Sequence, residues 1–166
     1  DAFVASQRLL GGDGSVLGLM ALTGEVHAML HQGDQGDCTD RLRQAVKRHE
    51  AAPVTQEWER VLSSAHRVLA NRELHAGGYE AAEVEYQRAY DFALSANAPV
   101  EVVDALNCLA ALHYFRQELA AAESTWRMAL EEADRWDLVQ HRSVILGNLG
   151  ELELARGDAA QALLTL

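Results

Sequence analysis

The residues best suited to chemistry lie in one short segment near the N-terminus. His27 and His31 are four residues apart, so on a helix both imidazoles face the same side and could bind one metal ion. Asp34, Asp37 and Cys38 follow closely and could add ligands. Helical spacing alone is weak evidence, and the HExxH pattern of zinc proteases is missing. Two surface histidines beside an acidic turn are the simpler interpretation, so we expect no metal and no cofactor.

Other candidate patterns also lack an essential part. The glycine-rich segment 11–15 has no Gly-Lys-Ser/Thr ending for holding a nucleotide phosphate, which favours a linker. Segment 34–40 lacks the alternating ligand order of a calcium loop, which favours a capped turn between helices. Cys108 lies in an apolar helical pattern typical of a small buried residue rather than a reactive thiol. With no recognised nucleophile motif, we expect no catalytic residues and no enzyme activity.

Composition narrows the classes of partner. The 166 residues carry a net charge of −11 with Lys47 as the single lysine, which argues against nucleic acid binding. Two interpretations of the acidic surface stay open: it favours a basic partner, or it only keeps the protein soluble. Cys38 and Cys108 form no CxxC pair, which favours a reduced, cytoplasmic location. The most apolar stretch, 16–30, is too short and too polar to span a membrane.

The sequence repeats itself with a period of 40 residues. His66-x-x-Leu69-Ala70 matches Leu106-x-x-Leu109-Ala110 and Leu146-x-x-Leu149-Gly150. A second motif recurs as Ala82-x-x-x-Tyr86-x-x-Ala89, Ala122-x-x-x-Trp126-x-x-Ala129 and Ala162-x-x-x-Leu166. Turn segments at 77–79, 117–119 and 157–159 separate the two motifs. Small side chains at fixed places allow two helices to approach closely, so each unit is predicted to be a helical hairpin.

Local signals predict the helix boundaries. The apolar spacing predicts one helix over 57–76 and a second over 79–96, with Gly77 ending the first. Asn97 and Asp137 precede helical runs and are favoured N-cap types, so we expect them to cap the next helices. Pro99 suits the first turn of such a helix, where its missing N–H does no harm.

These segments resemble tetratricopeptide repeats (TPRs), over residues 57–166. The resemblance departs from the family pattern in three ways: Leu-Ala replaces Leu-Gly in two units, Glu73, His113 and Glu153 replace an aromatic residue, and the period is 40 rather than about 34. The resemblance implies an all-α fold, a right-handed α–α superhelix forming a TPR-like solenoid of antiparallel helical hairpins. Its repeats would cover 57–96, 97–136 and 137–166, the last one truncated.

The first third of the chain is less regular. Helices are predicted over 15–32 and 39–50, separated by a polar turn. Domain 1–54 is therefore either a degenerate repeat or an N-terminal capping hairpin, ahead of the repeats in 55–166. The chain begins without methionine and ends inside a helical pattern, so we expect it to be part of a longer protein.

The resemblance also implies a binding groove lined by the first helix of each unit. By position the groove residues are Arg67, Asn71 and His75, then Asp104, Asn107, Ala111 and Tyr114, then Val144, Gly147 and Glu151. Asn71 and Asn107 could each bind a peptide backbone through both carbonyl and amide groups. The competing interpretation is a solvated helix face without a ligand.

The predicted function is therefore a scaffold module that binds a protein or peptide, as part of a larger bacterial regulatory or assembly protein. One alternative is a structural segment that packs against other domains of its own chain or self-associates into a homo-oligomer through the open end near Leu166. A metal-binding protein or an enzyme is the remote alternative.

Overall fold

The described part of the chain consists of seven helices and contains no strand, in agreement with the predicted all-α class. A computed structural model describes the backbone of residues 15–32, 38–50 and 55–157 and the side chains of 15–30, 39–48 and 55–157. The helices are α1 (Val16–Gln32), α2 (Cys38–Glu50), α3 (Gln56–His75), α4 (Tyr79–Ser95), α5 (Pro99–Phe115), α6 (Leu119–Arg135) and α7 (Val139–Ala155).

The period of 40 residues is present in the helix bounds. Helices α4 and α6 both have 17 residues and begin 40 residues apart, and the same holds for α5 and α7. Residues in the left-handed region of φ recur in the same way. Gly77 (φ 80°), Gln117 (62°) and Gly157 (84°) form one set, and Asn97 (49°) and Asp137 (54°) form the other.

These left-handed residues end the helices by a common hydrogen-bond pattern. After α3, the Gly77 N–H donates to Leu74 O at 3.0 Å and the Gly78 N–H donates to Glu73 O at 2.9 Å. This pair of bonds is a Schellman motif, which satisfies carbonyls that the helix leaves without a partner. The same pair ends α5, where Gln117 takes the place of the glycine.

The prediction that Asn97 and Asp137 are N-caps is wrong. Each residue follows the end of a helix in the left-handed conformation, and the N-cap positions belong to Ala98 and Leu138, which make no side-chain cap bond. Asparagine and aspartate are favoured both as N-caps and in the left-handed region, so residue type alone does not separate the two roles. Pro99 begins α5 as predicted.

The chain forms two compact units, one ending at Asn97 and one beginning at Ala98. In the first unit, α1 and α2 pack against α3, and α3 pairs with α4 along its length. Apolar residues from α1, α2 and α3 make its core, including Leu19, Leu22, Leu42 and Leu62, which are all fully buried. Whether α1 and α2 are a degenerate repeat or a cap stays a prediction.

In the second unit, α6 packs against both α5 and α7, and α5 also contacts α7. Val103, Leu112, Ala122, Ile145 and Leu152 are buried there with at most 1% exposure. None of the helices in the described ranges is both long and apolar enough to cross a membrane.

Candidate functional site

Three of the predicted groove residues line one cavity of the second unit. Asp104 and Asn107 on α5 and Val144 on α7 border a space of about 240 Å³. Its other lining residues are Val103, Gln140, His141 and Ile145. Spacings of three and four residues place each set on one face of its helix, because such neighbours are stacked one turn apart.

Asp104 and His141 are the two ionisable residues among those that line the cavity. Asp104 Oδ1 lies 3.4 Å from His141 Nε2, and both side chains are about one-third exposed, at 32% and 29%. Their partners here are aliphatic or neutral amide groups, so the cavity presents one carboxylate against apolar walls.

Asn107 lies at the meeting point of three helices. Its Oδ1 accepts hydrogen bonds from Trp126 Nε1 at 2.9 Å and from Asn148 Nδ2 at 2.8 Å. The indole N–H can only donate, which fixes the accepting atom as the oxygen. The carbonyl group predicted to bind a peptide is therefore occupied within the protein. The Nδ2 group of Asn107 is left to donate to a ligand.

The groove residues of the first unit lie on α3. The Asn71 Oδ1 accepts a hydrogen bond from the Tyr86 hydroxyl at 2.5 Å, so this carbonyl is also used within the protein. Arg67 is partly buried, and His75 is exposed at the end of α3. The two asparagines thus share a structural role that the sequence analysis did not assign to them.

The remaining predicted residues do not line the cavity. The ring of Tyr114 lies 6.0 Å from that of Trp126, centroid to centroid. Ala111 and Gly147 are partly buried, and Glu151 is exposed. A Cβ atom built on Gly147 would meet nothing within 4 Å, so a side chain has room there.

Comparisons with known proteins show the fold but no family. No protein-family profile matches the chain, and no curated protein matches it. Among solved structures, the crystal structure of BtubC (BKLC) from P. vanneervenii matches with a TM-score of 0.74 and 19% sequence identity. The match covers 90% of this chain and 60% of BtubC, so this chain spans well under two-thirds of that protein. At this identity the likeness extends to the helical fold alone.

Sequence analysis missed three polar residues of this region: Gln140, His141 and Asn148. His141 lies three residues before Val144, and Asn148 lies four after it, so helical spacing from Val144 would have pointed to both. The prediction instead followed repeat positions equivalent to those of α5. That procedure does not include the offset between neighbouring helices, which brings residues near the start of α7 beside Asp104.

The candidate metal ligands fall largely outside the described residues. His27 is exposed on α1, while the side chains of His31 and Cys38, and all of Asp34 and Asp37, are outside the described set, as is the loop 11–14. Within the described ranges, no three His, Cys, Asp or Glu side chains are grouped so that they could hold a metal ion.

Proposed function

We propose that this chain is a peptide- or protein-binding scaffold module of TPR-like repeats, arranged as a right-handed superhelix. The recurrence of helix bounds and left-handed residues every 40 positions supports a repeat architecture. The observation that carries the binding role is the cavity between α5 and α7. Asp104, Asn107 and Val144 were chosen from the sequence as groove residues, and all three line it.

The chemistry of the cavity suits recognition of an extended peptide. The Asn107 amide can donate to a peptide carbonyl, and Asp104 can accept a hydrogen bond. Val144 is 55% exposed at the rim and Ile145 is buried, so an apolar side chain of the ligand has a surface to cover. The lining residues include no serine, threonine, cysteine or lysine that could act as a nucleophile. Binding without catalysis is therefore the function we propose.

The wider role follows from the same interpretation. We propose that the module works in the cytoplasm as part of a longer regulatory or assembly protein, of the kind found in bacteria. Its coverage of only 60% of BtubC fits a segment that belongs to a larger protein.

The test begins with peptides selected from a random display library against the whole chain. The affinity of a selected peptide is then measured for Val144→Trp and for the control Val139→Trp. Both valines lie on α7 and are more than half exposed, and only Val144 lines the cavity. An indole at 144 fills the cavity, so we expect a loss of about tenfold or more, or about 1.4 kcal/mol, and no such loss for the control.

Equal affinities for the two variants would show that peptides bind elsewhere. Mass measurement by light scattering over a range of protein concentrations separates the proposal from self-association. A mass that rises with concentration, together with no selectable peptide, would favour the homo-oligomer.

A further inference from the structure

We propose that the cavity between α5 and α7 receives the basic side chain, arginine or lysine, of an extended peptide. This inference rests on the proposed function and adds the chemical class of the ligand. The occupant is identified by the combination of one carboxylate with aliphatic walls.

The walls suit the stem of a long basic side chain. Val103 and Ile145 are buried and Val144 stands at the rim, so three aliphatic side chains border the space. Arginine and lysine carry three or four methylene groups that pack along apolar surface while the charged head stays near water. A short polar side chain would leave these walls uncovered.

The charges favour a cation over an anion. Asp104 is the one carboxylate of the lining, and neither lysine nor arginine lines the cavity. His141 lies 3.4 Å from Asp104, longer than a direct charge-assisted bond of about 2.7–2.9 Å. A guanidinium can meet both carboxylate oxygens at once, which an imidazole cannot do. The net charge of −11 also attracts basic peptides and repels acidic ones during approach.

Polar groups beside the carboxylate can hold the peptide backbone. The Oδ1 of Asn107 is fixed by Trp126 and Asn148, so its Nδ2 is aimed by two hydrogen bonds and is available to a peptide carbonyl. Gln140 supplies a second amide at the other side of the cavity. The site therefore combines an anchor for the backbone with a carboxylate for the side chain.

The experiment uses two small probes of the same shape and different charge. N-acetyl-arginine N-methylamide and its neutral counterpart N-acetyl-citrulline N-methylamide are titrated into the ¹⁵N-labelled whole chain, and amide shifts are followed by NMR. We expect shifts at Asp104, Asn107 and Val144. The arginine compound should bind about threefold more tightly, the ratio typical of a partly exposed ion pair.

Two variants assign the preference to one carboxylate. Asp104→Asn should abolish the preference for arginine over citrulline. Glu131→Gln is the matched control, because it removes the same charge from an exposed residue of α6 that does not line the cavity. This control should keep the preference.

Three outcomes would overturn the inference: equal binding of the two probes, shifts confined to residues outside the cavity, or a preference that survives Asp104→Asn. Equal binding within the cavity would leave the proposed function standing. Failure of the proposed function is read separately, from a selected peptide that ignores Val144→Trp.

Discussion

The hairpins α3–α4 and α5–α6 have equivalent backbones and different chemistry between their helices. In the first, the ring of His66 is 1% exposed, its Nδ1 lies 2.6 Å from Glu85 Oε2, and it stacks on Phe92 with centroids 5.3 Å apart. The residues 40 positions on from His66 and Glu85 are Leu106, which is buried, and Thr125. An aliphatic side chain and a buried ionisable pair thus occupy equivalent places.

The features shared by the two hairpins explain why the backbone tolerates this exchange. Four alanines, two in each second helix, are completely buried: Ala82, Ala89, Ala122 and Ala129. Tyr86 and Trp126 are also buried at equivalent positions, and each donates to an asparagine of the preceding helix. Small residues and one anchored aromatic side chain set how the helices approach, and the remaining space accepts either polar or apolar pairs.

Charge around Glu85 gives the first hairpin its own dependence on pH. Burial alone would raise the pKa of the Glu85 carboxyl. The hydrogen bond and charge of His66, and then the charges of Arg88 and Arg43, outweigh burial and hold this pKa below its ordinary value. Glu85 therefore stays ionised in the folded protein over a wider pH range than a solvated glutamate.

The largest expected effect comes from removing the shared aromatic anchor. Tyr86→Ala and Trp126→Ala each leave a cavity where a large buried side chain stood. Such truncations typically cost about 3–5 kcal/mol in the free energy of unfolding. Urea unfolding followed by circular dichroism measures the loss. A cost below about 1 kcal/mol in either hairpin would mean that the aromatic residue does not determine its packing.

The next effect tests the difference between the hairpins. Glu85→Ala takes away the carboxylate that bonds the buried His66, and we expect a loss of about 1–3 kcal/mol. Thr125→Ala is the matched change in the other hairpin and should cost about 0.5 kcal/mol or less. Equal losses in urea unfolding would show that the ionisable pair contributes no more than its counterpart.

A smaller effect concerns the turns. Gln117 has φ 62° at the place where Gly77 has φ 80°, and this region costs a residue with a side chain about 1–2 kcal/mol. Gln117→Gly should therefore stabilise the protein by about 1 kcal/mol, and Gly77→Ala should destabilise it by a similar amount. Alanine at 77 has room, since no atom lies within 4 Å of its Cβ position. Melting temperatures that shift in the same direction for both variants would contradict this assignment.

The helical fold was predictable because its determinants are local and repeated. The boundary at Gly77 and the buried alanines are visible in residue types, and the period of 40 extends them to the next unit. The left-handed conformation of Gln117 is less visible, since glutamine has no preference for it; only its alignment with Gly77 and Gly157 gives a signal. Asn97 and Asp137 were assigned to the wrong end of a helix because their side chains suit both ends.

The candidate site was predictable only in part. Repeat positions led to Asp104, Asn107 and Val144, since neighbours one turn apart share a helix face. The contacts that fix Asn107, from Trp126 and Asn148, come from two other helices and depend on how those helices cross. A pairing of this kind leaves no trace in the spacing of a single sequence.

The smallest predicted effect is a pH dependence confined to the first hairpin. Because the folded pKa of Glu85 lies below its unfolded value, the carboxylate stabilises the fold above the unfolded pKa, and this contribution is lost as the pH falls through the folded pKa. The unfolding free energies of wild type and Glu85→Gln should differ by up to about 1 kcal/mol above about pH 5 and converge toward about pH 3. Glu131→Gln, an exposed change on α6, should follow the wild-type curve throughout. Parallel curves for wild type and Glu85→Gln would mean that the bond between His66 and Glu85 is equally strong with a neutral partner, and the two hairpins would then differ in shape rather than in charge.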